Sequence, residues 1–376
     1  MKTPLAWRNL IHDKARNAVA IVGVGFAVLL ILMQLGFYGS VLQTATTIQD
    51  HLTFDLLIAS KNYLFITRPG SFAEARLHQA RGVAGVVDAW PLGVSLCPWE
   101  NPATGRRRAM LVLSCEPHLP AVRVENPSAA LTALERPSTV MIDRRSRPEF
   151  GPQAAGTRAK MGPLEVEIAG QFTLGTGFGA DGAVLTSART FARLFPQVGP
   201  QATNLGLVQL APGADPDRVA AELRERLPAD VQVFTRPELN QRERQHWVVK
   251  TSVGVIFGLG VAMALVVGMA IVYQVLSSSI ARRLREYATL KALGYPTGYL
   301  WRVVLTQAIA LAVAGYLPGL LVAWQLYGVT RSAAHIPMQL GWVPAVSVLF
   351  LAVGMCAAAG VISLRKVTGA DPAELF

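Results

Sequence analysis

Residues 18–38 read AVAIVGVGFAVLLILMQLGFY, and no charged side chain occurs between Asn17 and Gln49. About 20 apolar residues in a helix span a hydrocarbon core, so this stretch is expected to cross a bilayer. Val253–Leu276 (VGVIFGLGVAMALVVGMAIVYQVL) lies in a second uncharged stretch, between Lys250 and Arg282. A third runs roughly over Val303–Gly328 and ends at Arg331; a fourth covers Pro344–Leu364 and is closed by Arg365 and Lys366. Lipid offers no partner to a bare peptide group, so each crossing is expected to be helical. Composition points the same way: 376 residues are 52% hydrophobic and 16% charged, with mean hydropathy +0.36. Soluble domains carry about a quarter charged residues. Disorder, collagen and, with three cysteines, a disulfide scaffold are excluded.

Charge then orients the crossings. Residues 1–17 hold four Lys/Arg against one acid, and residues 281–302 hold five against one, whereas residues 41–250 carry a net charge of only +3. Short basic segments stay on the cytoplasmic side. The expectation is a membrane protein with four transmembrane α-helices plus a large α+β extracytoplasmic domain inserted between helices 1 and 2. Its segments are a cytoplasmic stretch at 1–17, helix 1 at 18–40, the outer domain at 41–250 and helix 2 at 251–280. A cytoplasmic connector at 281–302, helix 3 at 303–328, a short outer loop at 329–343, helix 4 at 344–364 and a cytoplasmic tail at 365–376 complete them. The net charge of +11 therefore sets topology and is not read as a nucleic-acid footprint. The first apolar stretch exceeds the length of a signal peptide and no small-x-small site follows, so it reads as an uncleaved anchor.

Residues 41–250 have the texture of a mixed fold. Strands are expected at Phe54–Ala59, Val86–Leu96, Ala109–Ser114, Val140–Asp143, Glu165–Phe172, Gly206–Leu210 and Val231–Phe234. Helices are expected at Phe72–Arg81, Ser187–Phe195 and Pro216–Leu227, the last capped by Asp215. From Pro237, PELNQRERQHWVVK runs toward the second span with no Gly or Pro before Gly254. Unbroken helix to Ile280 would be about 44 residues, roughly 65 Å, and would form a stalk; the alternative is a break at the membrane surface. The first span likewise runs past Tyr38 toward Gln49 without charge or proline, as a second stalk.

Catalytic strings are missing. No GxxxxGK[ST], HExxH, GxSxG or CxxC occurs and the six histidines are scattered, so no cofactor, no metal and no enzyme activity are expected. Gly177-Phe178-Gly179-Ala180-Asp181-Gly182 fits GxGxxG, but no acid lies about 20 positions on to hold a ribose, and it reads as a Gly-rich turn. Cys97 and Cys115 flank the turn-rich ENPATG and could pair in an oxidising compartment, while Cys356 sits within the fourth span. Arg106–Arg108 reads as a solvated loop tip. The spans hold Gln34, Gln274, Gln307 and Gln325 but no charge, so ion-coupled transport is not expected. Energy must come from a partner.

The connector reads ARRLREYATLKALGYPTGYLWR (residues 281–302). Leu284, Tyr287, Ala288, Leu290, Ala292 and Leu293 give it a mixed apolar face, Gly294 can end a helix and Pro296 bars its continuation. From the residues alone this is either a short helix that a separate ATPase could grip or a basic loop that fixes topology. The run EYATLKALGY (Glu286–Tyr295) resembles the cytoplasmic connector of FtsX/MacB-type ABC permeases. With GTGFGADGAVLTSARTFARLFP (Gly175–Pro196), the Val253–Leu276 string, LAWRNL (Leu5–Leu10) and DPAELF (Asp371–Phe376), essentially the whole chain is similar to DevC-like exporter permeases.

That resemblance implies a homodimeric, non-catalytic permease subunit of a tripartite efflux system in the bacterial inner membrane, with both termini cytoplasmic. Its implied partners are a cytoplasmic ABC ATPase (DevA-like), a membrane-fusion adaptor (DevB-like), a TolC-like outer-membrane protein and the lipid bilayer, and its cargo is lipid-like or otherwise hydrophobic. It further implies that Glu286, Tyr287, Ala288, Thr289, Leu290, Lys291, Ala292, Leu293, Gly294 and Tyr295 couple to the ATPase. Arg282, Arg283 and Arg285 make the approach more basic than the family pattern, which bears on the ATPase surface that would fit. The alternative is an FtsX-like mechanotransmission regulator of a periplasmic partner such as a cell-wall hydrolase.

Overall fold

The computed structural model describes residues 14–115, 132–175, 180–282, 297–334 and 336–368. Two units are distinguishable: the described residues of 1–39, 253–334 and 338–376 form a helical unit, and those of 40–252 and 336–337 a strand-rich one. α1 (Lys14–Thr44) has 31 residues, about 46 Å of helix. Nothing in its sequence breaks it before Thr44, whose hydroxyl donates to the Ser40 carbonyl at 2.9 Å. A turn leads into α2 (Thr47–His51).

The strand-rich unit continues with β1 (Leu56–Ser60), β2 (Phe72–Ala73), α3 (Ala75–Arg81), β3 (Val86–Leu92), β4 (Val94–Glu100) and β5 (Arg107–Cys115). Next come β6 (Thr139–Asp143), β7 (Arg158–Met161), β8 (Leu164–Phe172), β9 (Ala183–Ser187) and α4 (Ala188–Leu194). β10 (Ala202–Thr203), β11 (Leu205–Leu210), α5 (Pro216–Arg226), β12 (Val231–Thr235) and α6 (Arg236–Gln245) complete it.

β1 lies inside an antiparallel sheet ordered β12-β1-β11-β3. Its sequence LLIAS does not alternate because both faces are covered. Leu57 and Ala59 join Trp90, Leu92, Leu205 and Leu207 on one side. Leu56 and Ile58 join Leu77 and Ala80 of α3 and Val219, Ala220 and Leu223 of α5 on the other. α5 begins as expected: the Asp215 carboxylate accepts the Asp217 N–H at 3.0 Å. β12 is an edge strand, and Arg224 covers its Val233 carbonyl, donating from Nε at 3.0 Å and Nη2 at 2.7 Å.

The expected strand Val86–Leu96 is two strands, because at Gly93 the chain leaves the sheet for a barrel. The Gly93 N–H donates to Ser114 Oγ at 2.8 Å, and a Cβ at this position would lie 2.6 Å from the Phe191 ring. Only glycine fits. The barrel is closed in the order β4-β5-β9-β6-β8-β7, with β5/β9 and β6/β8 parallel and the remaining pairs antiparallel. One side chain set (Leu111, Leu113, Met141, Ala183, Leu185) joins the core of the sheet. Another gathers around fully buried Trp99, whose Nε1 donates to the Phe150 carbonyl at 3.0 Å.

α6 opens with a capping box: Thr235 caps, and its N–H donates to the Glu238 carboxylate at 2.9 Å. The continuous stalk expected from Pro237 to Ile280 does not form. His246–Lys250 widen into a π turn in which Thr251 N–H donates to the His246 carbonyl at 3.1 Å. Thr251 is extended (φ −98°, ψ 157°) and its hydroxyl takes the Trp247 carbonyl. A β-branched residue that satisfies the preceding turn through its own side chain ends the helix there. Helix resumes as α7 (Val253–Arg282), followed by α8 (Thr297–Ala334), which contains Pro318, and α9 (Trp342–Thr368).

Candidate functional site

α1, α7, α8 and α9 are long and apolar enough to cross a membrane. They share a core of Val24, Ala27 and Ile31 from α1, Ala264 and Val272 from α7, Leu311 and Tyr316 from α8, and Ala352 and Met355 from α9. Without a hydrophobic drive between helices in lipid, close backbone approach at small residues supplies the packing. A Cβ on Gly319 would lie 2.6 Å from the Gly25 carbonyl oxygen, and one on Gly25 would lie 3.1 Å from that of Gly315. Gly268 lies instead against the side chains of Ala27 and Met355, and Gly260 against that of Gln34. Hydroxyls add ties: Tyr316 donates to the Ala345 carbonyl at 2.8 Å, and Tyr327 donates to that of Leu32. Ile256, Leu259, Met263 and Val267 form an exposed apolar stripe along α7. Gln307 is buried, whereas Gln274 and Gln325 are exposed.

Within the strand-rich unit, the segment just before α7 is fastened by a buried cluster. Glu243 of α6 is 0% exposed. One carboxylate oxygen accepts the Tyr63 hydroxyl at 2.5 Å and the other accepts the Ile66 N–H at 3.3 Å. Arg242, its neighbour on the helix, donates to the Tyr63 carbonyl (2.9 Å) and the Gln232 side chain (3.2 Å). Burial pushes the Glu243 carboxyl up to about 7, and burial together with the facing carboxylate raises the Tyr63 hydroxyl well above its ordinary value. Phe65 stacks on the His246 imidazole with centroids 4.4 Å apart and meets Trp247 edge-on at 5.9 Å. Burial, then Lys250 and Arg242, hold His246 below its ordinary value.

Arg236 makes a second fastening. Its guanidinium donates to the carbonyls of Gln49 (3.1 Å), Leu52 (2.8 Å) and Phe54 (2.9 Å) and lies 4.2 Å from the Phe54 ring centroid. The chain entering the unit and the chain leaving it are thus tied together. The cluster fastens; it does not resemble a reaction centre. The sequence places Arg242–Gln245 in a helical stalk and gives Glu243 no role. The available signal was its helical position: Leu239, which is fully buried, precedes Glu243 by one turn on the same face.

The residues expected to couple to an ATPase, Glu286–Tyr295, lie outside the described residues, between the end of α7 at Arg282 and the start of α8 at Thr297. Gly177 and Gly179 also lie outside them. Gly182 is packed on the Phe150 ring and leads into strand β9, so the GxGxxG string lacks the following helix N-terminus that holds a pyrophosphate. Asp181 instead pairs with Arg108 (3.2 Å) and Arg147 (3.0 Å), and Arg107 with Glu100 (2.9 Å), so two of the three arginines expected at a loop tip belong to strand β5. Register settles the cysteines. Cys97 stands opposite Met110, which precedes Cys115 by five residues, about 17 Å along the strand. A disulfide needs Cα atoms within about 7 Å, and Cys97 is a free, buried thiol. Among the described residues no His, Cys, Asp or Glu cluster could hold a metal ion.

A family profile, FtsX-like permease C-terminal, matches residues 258–372. An uncharacterized ABC transporter permease, found in two strains of Mycobacterium tuberculosis, is 27% identical over 178 residues, 46% of this chain and 49% of the relative. The chain therefore spans about half the length of the curated relatives it matches. Among solved structures, the periplasmic region of MacB from Actinobacillus actinomycetemcomitans covers 52% of this chain and 94% of its own, with 10% identity and a TM-score of 0.38. The extracellular domain of the noncanonic ABC-type transporter YknZ from Gram-positive bacteria covers 48% and 99%, with 16% identity and a TM-score of 0.33. Residues 258–372 thus match an FtsX-like permease domain, in a chain similar over about half its length to an ABC transporter permease.

Proposed function

We propose that this chain is the DevC-like permease subunit of a tripartite ABC efflux system in the bacterial inner membrane, exporting a lipid-like or other hydrophobic substrate. The observation that carries the reading is the FtsX-like match over residues 258–372, which takes in α7 from Gly258, Glu286–Tyr295, α8 and α9. ATP is hydrolysed by a separate cytoplasmic ATPase that grips Glu286–Tyr295. Both termini share its side, and residues 40–252 face outward to a membrane-fusion adaptor and a TolC-like duct. Displacement of α7 reaches the outer unit along the chain itself, through Ser252, Thr251 and the π turn to α6. There Tyr63, Phe65 and Arg236 pass it to the sheet. The exposed stripe of Ile256, Leu259, Met263 and Val267 supplies a face for a second copy.

Leu290→Asp and Gly294→Pro in the full chain test the reading. The wild-type chain, purified from its own host, should bring down an ATPase identifiable by mass spectrometry and stimulate its hydrolysis. Both variants should insert normally and lose the ATPase. Undiminished recovery and hydrolysis would refute the coupling role.

A further inference from the structure

Two carboxylates among the described residues are fully buried, Asp143 and Glu243. Asp143 is answered by three backbone N–H groups, those of Gly175 (2.8 Å), Leu174 (3.0 Å) and Arg145 (3.1 Å). Glu243 has one backbone N–H at 3.3 Å and one phenol; the charge of Arg242 acts on it, but that guanidinium hydrogen-bonds to the Tyr63 carbonyl and Gln232 instead. A carboxylate taken out of water without an ionic partner is costly and tends to be neutralised by a proton.

Glu243 also occupies a mechanical position. The Lys61–Arg68 loop is anchored at its ends: Lys61 N–H donates to the Asp230 carbonyl (2.9 Å), Gln232 donates to the Lys61 carbonyl (2.6 Å), and Asn204 donates to that of Gly70 (2.7 Å). Between those anchors the loop crosses α6 and the π turn. It is held there by Tyr63 and Ile66 on Glu243, the Tyr63 carbonyl on Arg242, and Phe65 on His246. It is a strap over the segment that continues into α7.

We propose that Glu243, buried under the Lys61–Arg68 strap, is a proton-controlled clasp: protonated, it keeps the strap shut on α6, and its ionisation, which burial opposes, lets the strap lift. The titratable and charged groups facing Glu243 are Tyr63 from the strap and Arg242 on its own helix, with His246 and Lys250 following along that segment. From β12 the neighbours Gln232 and Phe234 are uncharged, and Arg236 is engaged with the carbonyls of Gln49, Leu52 and Phe54. The shut form keeps its proton up to about 7, whereas a hydrated carboxyl releases it near 4.5. The shut form therefore binds more protons across that window. Lifting becomes easier as pH rises from about 4.5 to about 7 and levels off above it. The lifted population should grow on the order of a hundredfold over that interval. The clasp belongs to residues 40–252 alone and stands whether or not the chain is an exporter subunit.

The test uses the full chain in nanodiscs with Cys97, Cys115 and Cys356 replaced by alanine and nitroxide labels on Leu64→Cys and Gln241→Cys, both exposed positions. Pulsed electron spin resonance should give one short distance at pH 5 and a growing longer component by pH 8. Glu243→Gln, a neutral isostere, should hold the short distance at every pH. Tyr63→Phe removes a hydrogen bond that favours the charged form, so the pH at which the longer component levels off should move upward. A wild-type distance that ignores pH overturns the proposal, as does a pH response that survives in Glu243→Gln. Should Glu243→Gln fail to fold, Tyr63→Phe decides alone: an unmoved or lowered levelling-off point overturns it.

Discussion

Gly319→Ala puts one methyl where α1 and α8 touch. That carbon would lie 2.6 Å from the Gly25 carbonyl oxygen and 3.0 Å from Cβ and Cγ1 of Val28. A carbon–oxygen contact relaxes at about 3.3 Å. The blocking atom is backbone, so no rotamer change gives relief, and the two helices must part by roughly 0.7 Å. A gap of about 0.5–1 Å forfeits a quarter to a half of each dispersion contact, and each is worth about 0.1–0.2 kcal/mol. Over a few tens of such contacts the loss is about 1–2 kcal/mol, within the range of about 1–3 kcal/mol for overpacked cores. Gly354→Ala is the control: it sits in helix α9 with nothing within 4 Å of the added carbon. Helix propensity makes it neutral or stabilising by up to about 1 kcal/mol. Titration of the purified chain from mixed micelles with sodium dodecyl sulfate, followed by circular dichroism, reads both. Gly319→Ala should unfold at a lower detergent fraction and Gly354→Ala should not. Equal midpoints for Gly319→Ala and wild type would refute the close-approach argument, as would an equal loss in the control.

Arg236→Met removes a guanidinium bonded to three carbonyls and should cost about 3 kcal/mol, read as a lower thermal midpoint for the near-ultraviolet signal of the full chain. Asp143→Asn leaves one acceptor oxygen for N–H groups now shared by two, and should cost about 2 kcal/mol in the same assay. Burial pushes the Cys97 thiol up to about 11, so at pH 8 almost no thiolate is present and iodoacetamide should label it only after denaturation. Thiolate forms as pH rises toward that value, so labelling of the folded chain should accelerate steadily between pH 8 and pH 10. Peptide mapping without reductant should find no Cys97–Cys115 link.

The apolar helices were plain in the sequence because charged residues such as Lys250 and Arg282 fence them. β8 was plain because VEIAGQF alternates, and α5 because Asp215-Pro216 announces its start. β7 and β9 escaped notice for opposite reasons: RAKM is too short and charged to signal a strand, and AVLTS follows a Gly-rich string that draws attention to itself. Barrel closure could not be read at all. It depends on parallel pairing of β5 with β9 and β6 with β8, which no local periodicity encodes. The helix break at Thr251 was equally hidden, since nothing but a side-chain hydroxyl competing for a carbonyl marks it. Of the cluster on α6, Glu243 was concealed by its charge. An acid in a polar run looks solvated until Tyr63, 180 positions away, is brought against it.

A ring of six strands, closed where Trp99 and Glu100 of β4 pair with β7, offers a neighbouring copy little to zip onto. In the four-stranded sheet the outer flank of β12 is already partly spent, because Arg224 occupies the Val233 carbonyl. Many copies crowded side by side can therefore jostle without fusing into cross-β aggregates. Among the described strands, the longer bare edges are thus reduced to β3 and one guarded flank of β12, beside the two-residue strands β2 and β10.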